Sequence, residues 1–269
     1  MSHDFDGKTA IVTGASTGVG RAIAVGLAQR GARAVILNYA SNRKDAEQSA
    51  DLVRRAGAEA ILMQADVADD AGCRAVAEAA APFGRVDALF NNAAVTRFAL
   101  DHADMAALSK EDFLYVYSVN VVGAYQMVRA ALGMLRAAHE PSAVVNISTI
   151  SAFTGAGSSI AYAASKAALC TMTLSLARAL APQVRVNALC PGLIDTPWFA
   201  RGVKADELDR IREQWRASTL LGVLSCAEDI ADPALFLASR SAKHITGEMM
   251  PVDAGALLQA TALDRKAAG

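Results

Sequence analysis

Tyr162 and Lys166, four residues apart, are side chains that could together move a proton. At this spacing both project from the same face of a helix. A free phenol titrates near pH ~10, and a neighbouring ammonium lowers that pKa because it stabilises the phenolate. A buried pair of this kind is a candidate general acid/base. The same spacing also occurs by chance on solvated helix faces, so the rest of the chain decides its meaning.

A glycine-rich segment near the N-terminus, residues 13–20, has the sequence TGASTGVG and lies between an apolar run and an amphipathic run. This order predicts a strand, a turn and a helix. Glycines let the backbone turn sharply and approach a ligand closely, and the free N–H groups at a helix start bind anions. The usual ligand is dinucleotide pyrophosphate, although the spacing GxxxGxG differs from the GxGxxG of most dinucleotide-binding folds.

Short β-branched or aliphatic runs recur along the chain, separated mostly by alanine-rich helical stretches. They are 10–12, 34–37, 60–63, 86–90, 143–147, 184–189 and 249–252. This alternation predicts one α/β domain over 1–269, a doubly wound parallel sheet of about seven strands with helices on both faces. Ser109 and Ser225 begin capping-box patterns and predict helix starts, while Pro233 predicts a kink or a later start in the second of these helices.

The composition limits the possible partners. A net charge of -1 with interspersed charges gives no electrostatic footprint for nucleic acid or an anionic membrane. The cysteines form no CxxC pair and the histidines have no metal-like spacing, so neither a disulfide framework nor a metal site is expected. The polar, acidic N-terminus has no apolar core of a signal peptide, which predicts a cytoplasmic protein.

Several motifs in order along residues 8–255 carry a family resemblance. Besides 13–20 and the Tyr162–Lys166 pair, they are Asp66-Val67, NNAA at 91–94, Asn120, NIST at 146–149, Pro191-Gly192 with Thr196, and VDAG at 252–255. The chain resembles the short-chain dehydrogenase/reductase family, in its single-domain form and β-ketoacyl reductase-like branch. The resemblance implies an oxidoreductase that interconverts a carbonyl and a secondary alcohol by hydride transfer.

The same resemblance implies roles for three residues. Tyr162 is the acid/base that protonates the substrate oxygen during reduction and takes the proton back during oxidation. Lys166 lowers the pKa of the phenol and holds the nicotinamide ribose. Asn120, expected inside a long helix that includes 119–131, anchors a water that links Lys166 to solvent.

The hydroxyl that polarises the substrate carbonyl is expected at Thr149. This residue lies thirteen positions before Tyr162, where most members of the family have serine. Threonine keeps the donor but adds a methyl group. Ser151 is the alternative if the loop is shifted, and strand alternation predicts that Ser148 points away. Ala94 also departs from the family, which has glycine after NNA.

A cofactor is expected at the carboxyl ends of the strands, where such sheets bind ligands. The expected binding residues are Gly14, Ser16, Thr17, Gly18, Val19, Gly20, Tyr39, Ser41, Asn42, Arg43, Asp66, Val67, Asn92, Ala93, Tyr162, Lys166, Pro191, Gly192, Ile194 and Thr196. No acid follows the second strand, at Asn38 or Tyr39, and Ser41 with Arg43 suits a 2'-phosphate, which favours NADP(H) over NAD(H). Against this, Thr17 stands where NADP-binding relatives often have a basic residue, and Arg43 could simply be the solvated start of a helix.

The excursion 195–224, with Trp198, Phe199 and Trp215, is expected to form a lid over the substrate, with a surface helical hairpin as the alternative. The motifs leave the substrate open among a 3-oxoacyl thioester, a sugar, a steroid-like alcohol and a small ketone. An NAD-dependent alcohol or sugar dehydrogenase is the second function. A non-catalytic dinucleotide-binding regulator is the third.

A homotetramer is expected from two stretches with few charges, 119–138 and 161–181. Helices apolar around most of their circumference need a partner besides the sheet that they cover. In the family, these two helices pair with their symmetry mates.

Overall fold

A computed structural model describes residues 3–196 and 205–259. One sheet has the strand order β3-β2-β1-β4-β5-β6-β7 with parallel pairing throughout. The strands are β1 Thr9–Val12, β2 Ala34–Tyr39, β3 Glu59–Gln64, β4 Ala88–Asn91, β5 Ser142–Ile147, β6 Val184–Pro191 and β7 Met249–Val252. Each of the seven apolar runs is therefore confirmed as a strand. The strand order reverses between β1 and β4, and ligands of open α/β sheets bind at such a point.

Helices cover both faces of this sheet. They are α1 Gly18–Gln29, α2 Arg43–Arg55, α3 Asp70–Glu78, α4 Lys110–Tyr117, α5 Ala124–Arg136, α6 Ser151–Thr154, α7 Ile160–Leu180, α8 Ala205–Ser218, α9 Ala227–Ala238 and α10 Ala256–Gln259. One hydrophobic core holds Leu27 of α1 and Leu235 of α9, and the other holds Met127 of α5 and Leu176 of α7. The doubly wound α/β fold is confirmed.

Alternation along the strands distributes side chains between these two cores. Val12 of β1 and Val145 of β5 lie in the core of α1 and α9, whereas their neighbours Ile11 and Val144 lie in the other core. Because both faces are covered, the strands are apolar runs rather than alternating ones.

Two of the predicted helix starts differ in outcome. Ser109 caps α4 and forms a capping box with Asp112, as predicted. The prediction at Ser225 is wrong by one residue, because Cys226 is the N-cap of α9 and its N–H donates to Asp229 at 2.8 Å. The expected later start at Pro233 is also wrong, since α9 begins at Ala227 and continues through the proline.

The long helix predicted around Asn120 is interrupted. A π-helical segment, Ser118–Gly123, separates α4 from α5. A Cβ added at Gly123 would lie 2.9 Å from both the side chain and the carbonyl oxygen of Val67. Glycine therefore allows this segment to pack against the loop that follows β3.

Candidate active site

One cavity of about 1080 Å³ opens at the carboxyl ends of the strands. Its lining includes nearly every residue that the sequence predicts for the site. The exceptions are Gly20, Arg43 and Asn120. The motifs therefore converge on one place, as expected from the topology of a parallel sheet.

The glycine turn between β1 and α1 is tightly packed. Gly14 and Gly18 have φ of +62° and +55°, values that few other residues adopt readily. A Cβ on Gly20 would clash with the carbonyl oxygen of Gly14. The side-chain nitrogen of Asn92 donates to the carbonyls of Thr13 and Gly14 at 2.9 and 3.0 Å, which fixes the turn to the end of β4.

The first turn of α1 is built to receive an anion. Thr17 is its N-cap but makes no side-chain capping hydrogen bond, and Gly18 and Val19 line the cavity. The N–H groups at a helix start lack partners within the helix. Together with the positive end of the helix dipole they bind phosphate groups. These residues fit the pyrophosphate of a dinucleotide.

At the end of β2, the side chains of Asn38 and Tyr39 make different contacts. The Asn38 side chain accepts from the N–H of Gly14 at 3.4 Å and donates to the carbonyl of Ala65 at 2.9 Å, so it ties the glycine turn to the end of β3. Tyr39 lines the cavity. Asp66 is the only acidic side chain among the described residues of the lining.

Arg43 is placed at the first residue of α2, outside the cavity lining. Its side chain is 73% exposed, and its Nε donates to Glu47 at 2.8 Å. This matches the alternative of a solvated helix start. Ser41 and Asn42 do line the cavity, and the side chain of Asn42 caps α2.

Arg21, directly after the last glycine of the turn, is a residue whose role sequence reasoning missed. Its guanidinium donates to the carbonyl of Ser16 at 2.6 Å, to the Ser49 hydroxyl at 2.8 Å and to the carbonyl of Asp45 at 3.1 Å. The Ser49 hydroxyl also donates to Ser16 at 2.9 Å. Arg21 and Ser49 thus clamp the glycine turn to α2. The only signal in the sequence is a cation in the first turn of α1.

Lys166 is buried at the catalytic end, with 2% of its surface exposed. Its Nζ donates to the carbonyl of Ile147 at 2.7 Å and lies 5.8 Å from the centre of the Tyr162 ring. Burial lowers the pKa of Lys166 to about 8, because desolvation disfavours the ammonium.

The pKa of Tyr162, the other member of the pair, shifts in the direction opposite to the prediction. Its side chain is half-buried, and desolvation raises the pKa of the phenol. The expected lowering by Lys166 is therefore not the dominant effect, since burial outweighs an ammonium that donates to Ile147. At neutral pH the phenol is protonated, which is the form that can give a proton to a substrate oxygen.

Thr149 and Ser151 both line the cavity. The Thr149 hydroxyl donates to the Pro191 carbonyl at 3.3 Å and accepts from the Ser151 N–H at 3.2 Å. A Cβ added at Gly157 would lie 2.8 Å from the Ser151 hydroxyl and 3.9 Å from Cδ1 of Tyr162, so Ser151 is also near the phenol ring. Thr149 and Ser151 both remain candidates for the hydroxyl that polarises the substrate carbonyl.

Ser148 borders the same cavity, but its hydroxyl bonds to α7 rather than to these two hydroxyls. It is buried, and its hydroxyl donates to the carbonyl of Lys166 at 3.1 Å.

Asn120 lies in the π-helical segment with 1% of its surface exposed. Its side-chain oxygen accepts from the N–H of Val95 at 2.8 Å. Its nitrogen donates to the Val95 carbonyl at 3.0 Å and the Ser165 hydroxyl at 2.9 Å. The side chain therefore fastens the loop after β4 to α7, beside the catalytic pair.

Within the predicted lid, α8 forms part of the cavity wall. Ile211, Trp215 and Ser218 lie on one face of α8 and line the cavity. Arg212 of the same helix donates to Asp195 at 2.7 Å, which holds α8 near the end of β6. Helix α8 therefore borders the cavity, and the lid stays a prediction. The Trp198 and Phe199 predictions lie outside the described residues.

Comparisons with known proteins show what the whole chain is similar to. A family model described as enoyl-(acyl carrier protein) reductase matches residues 14–256. A short-chain dehydrogenase from Burkholderia cenocepacia, solved in complex with NADP, is 32% identical with a TM-score of 0.83, covering 94% of this chain and 99% of that one. The chain belongs to the short-chain dehydrogenase/reductase family. It is an oxidoreductase of the class that acts on carbonyls and alcohols.

Two relatives of this short-chain dehydrogenase/reductase differ in what their names say they act on. A protein from Streptomyces violaceoruber named as a ketoacyl reductase of the granaticin polyketide synthase is 39% identical over 254 residues, 94% of this chain and 97% of the relative. L-rhamnose 1-dehydrogenase (NAD(P)(+)) from Sphingomonas is 39% identical over 258 residues, 93% and 96% of the two chains. Equal identity does not choose between their substrates.

Proposed function

We propose that this short-chain dehydrogenase/reductase interconverts a carbonyl and a secondary alcohol with NADP(H) as the preferred cofactor and Tyr162 as the acid/base. The observation that carries the proposal is one cavity bounded by the uncapped start of α1 and by the Tyr162–Lys166 pair. A dinucleotide whose pyrophosphate is held at α1 brings its other end toward this pair.

The chemistry is divided among a few groups. The nicotinamide, when bound, supplies the hydride for reduction and accepts it for oxidation. Tyr162 gives its proton to the substrate oxygen, and Thr149 donates a hydrogen bond to the same oxygen. The Lys166 ammonium stabilises the phenolate that remains and holds the nicotinamide ribose. Asn120 supports the pair, with the water link to Lys166 as part of the proposal.

The NADP(H) preference is supported by charge. Ser41 and Asn42, the N-cap of α2, border the cavity, and helix starts attract phosphate. No carboxylate follows β2 at Asn38 or Tyr39, so a 2'-phosphate meets no repulsion there. Arg43 reaches the phosphate only by leaving Glu47, an exposed ion pair of the kind that contributes little. Names of two similar proteins include NADP or NAD(P).

The test is a turnover assay of the purified protein with a panel of carbonyls and alcohols and both cofactors. Tyr162→Phe should lower turnover by several powers of ten and leave NADPH affinity nearly unchanged, because only the transferable proton is lost. Turnover by a correctly folded Tyr162→Phe variant at the wild-type rate would remove Tyr162 from the mechanism. Cofactor binding without turnover of any substrate in the panel would favour a regulator.

A substitution at Arg43 tests the cofactor preference. Arg43→Ala should weaken NADPH binding on the order of tenfold or more, the effect of one charge-assisted contact, and leave NADH binding unchanged. Arg54→Ala, at the other end of α2, is the matched control and should change neither. Equal losses for both cofactors with Arg43→Ala would mean that Arg43 supports the helix start rather than a phosphate contact.

A further inference from the structure

The cavity has two chemically different halves. The half beside α1 and β2 is lined by glycines, hydroxyls and amides. The other half lies between α4, the loop before α7, and α8. Its lining includes the aliphatic side chains of Leu100, Ile150, Leu193 and Ile211 and the aromatic rings of Tyr115 and Trp215. Since the first half fits the dinucleotide, the second is where a substrate meets Tyr162.

Charge is nearly absent from the lining. Over the described residues that border the whole cavity, Asp66 and Lys166 are the only charged side chains. Asp66 belongs to the dinucleotide half, and Lys166 donates to the Ile147 carbonyl beneath Tyr162. A carboxylate or phosphate on the substrate would lose its water here without gaining an ionic partner among the described residues, which disfavours a charged substrate.

Three hydroxyls of the substrate half are engaged with the chain itself. Those of Thr154, Ser158 and Ser218 make hydrogen bonds of 3.4, 2.7 and 2.8 Å. The amide oxygen of Gln259 is a buried acceptor with no hydrogen-bond partner within the described part of the chain. The Tyr115 hydroxyl and the Trp215 indole N–H are further polar groups of this half. A sugar brings more hydroxyls than these few groups can pair, and each one left unpaired lowers its affinity.

Trp215 lies at the position where the two halves meet. A Cβ added at Gly192 would lie 3.0 Å from Cζ2 of its indole, so the ring packs against the turn that ends β6. The Tyr115 ring, from α4, is held from outside by the Arg97 guanidinium, 4.3 Å from the ring centre, and Arg97 donates to Asp112 at 3.1 Å. The substrate half thus offers two aromatic surfaces with fixed positions.

We propose that the substrate is a neutral and mainly apolar ketone, or the corresponding alcohol, with a flat aryl or cyclic hydrocarbon body, and that Trp215 determines this specificity. The proposal rests on the proposed function, because it assumes that Tyr162 protonates the substrate oxygen. Trp215 contacts the hydrocarbon body and takes no part in proton transfer, so it acts on binding.

The test compares two probes with the full-length protein. α-Tetralone, a bicyclic aryl ketone, is reduced with NADPH, and L-rhamnose is oxidised with NADP⁺. We expect kcat/KM for the ketone to exceed that for the sugar by on the order of 100-fold or more, the scale of two unpaired hydroxyls. The opposite preference, abolished by Tyr162→Phe, would overturn the substrate class while leaving the proposed function intact. Failure of every probe would count against the function itself.

Trp215→Ala should raise KM for α-tetralone roughly 10- to 100-fold with little change in kcat, because it removes apolar contact area and not a catalytic group. Trp215→Phe should restore most of the affinity. Gln214→Ala, at an exposed position of α8, is the matched control and should change neither constant. An equal effect of Trp215→Ala on the NADPH dissociation constant would show a structural role and overturn the assignment.

A second variant keeps the proposal testable if Trp215→Ala does not fold. Leu100→Asp places a carboxylate at a side chain that is 49% exposed, so folding should tolerate it. We expect at least a tenfold loss in kcat/KM for α-tetralone with unchanged NADPH affinity, on the scale of one charge brought to an apolar wall. Unchanged ketone kinetics would mean that this wall does not contact the substrate.

Discussion

Burial acts on Tyr162 and Lys166 in opposite directions and so sets the protonation state of the pair at neutral pH. Desolvation raises the pKa of the phenol and lowers the pKa of the ammonium to about 8. Below pH 8 the pair therefore consists of a neutral phenol and a charged ammonium. This combination donates a proton and stabilises the phenolate that results, which suits reduction at neutral pH.

A pH profile tests this pair. Reduction needs Lys166 charged, and a group with a lowered pKa loses its proton as the pH rises through that value. We expect kcat/KM for ketone reduction with NADPH to be nearly flat from about pH 6 to 7.5 and to fall above about 8. Oxidation needs the Tyr162 phenolate, whose pKa is raised, so its rate should increase across the same range.

The thiols beside Lys166 need a control in this experiment. The Sγ atoms of Cys170 and Cys190 lie 3.9 Å apart, and the charge of Lys166 interacts with both thiols. The hydrogen bond with Cys170, together with burial, raises the pKa of the Cys190 thiol. If Lys166 causes the alkaline fall, Cys170→Ser should keep it. Loss of the fall in that variant would assign the titration to the thiol pair.

Variants of Thr149 and Ser151 show which of the two hydroxyls donates to the substrate oxygen. Thr149→Val should lower kcat for reduction on the order of 10²- to 10³-fold, the cost of one donor to a developing oxyanion, and Thr149→Ser should retain activity. Ser151→Ala, the comparison variant, should have a smaller effect, through loss of the hydrogen bond that the Ser151 hydroxyl accepts from Thr149. An active Thr149→Val variant with an inactive Ser151→Ala variant would move the role to Ser151.

At the scale of elements, the cofactor site depends on how α1 and α2 are joined. The carbonyl of Ser16, inside the glycine turn, accepts from both Arg21 and Ser49. Arg21 also donates to the carbonyl of Asp45 in the first turn of α2. These hydrogen bonds order the turn before the cofactor binds. Binding of phosphate then carries no further entropy cost for ordering the turn.

Arg21→Met should therefore weaken NADPH and NADH binding by similar factors, roughly tenfold, the scale of hydrogen bonds from a charged group. Equilibrium titration of each cofactor measures both effects. Arg30→Met, at the C-cap of α1, is the control because its exposed partner Asp232 lies far from the turn. A loss confined to NADPH would mean that Arg21 contacts the 2'-phosphate.

The elements also show what the sequence can predict and what it cannot. Alternation of apolar runs and helical stretches predicts all seven strands, because strands covered on both faces must be apolar throughout. Most of the predicted site residues line the cavity, since they follow strand ends that meet at one edge. The strand prediction depends on local pattern, whereas the site prediction also depends on the resemblance to the family.

Two features escape because tertiary contacts decide them. The π-helical break at Ser118–Gly123 depends on the close approach of Gly123 to Val67, which lies far back along the chain in the loop after β3. Arg21 has a structural role only because α2 brings Ser49 against the turn. Trp215, by contrast, lines the cavity as the predicted lid segment implied.

On the scale of the whole molecule, the outer surfaces of three helical segments are apolar. Leu114, Val122 and Tyr125, on α4, the π-helical segment and α5, are 59%, 47% and 46% exposed. Helix α7 is long and apolar enough by composition to span a membrane, and half of that stretch is buried within the fold. It also carries the buried Lys166. These are features of helices that pack against the sheet on one side and another protein surface on the other.

We therefore expect a homotetramer in which α4, α5 and α7 pack against their symmetry mates. Light scattering at micromolar concentration should give a mass about four times the 28.0 kDa of one chain. Val122→Glu should lower that mass, because a carboxylate buried among apolar side chains is unfavourable. Met105→Glu is the matched control, since Met105 is 75% exposed and lies off these helices, and it should keep the tetramer. A fully active protein with the mass of a single chain would contradict the assembly and leave the exposed apolar surface without a function.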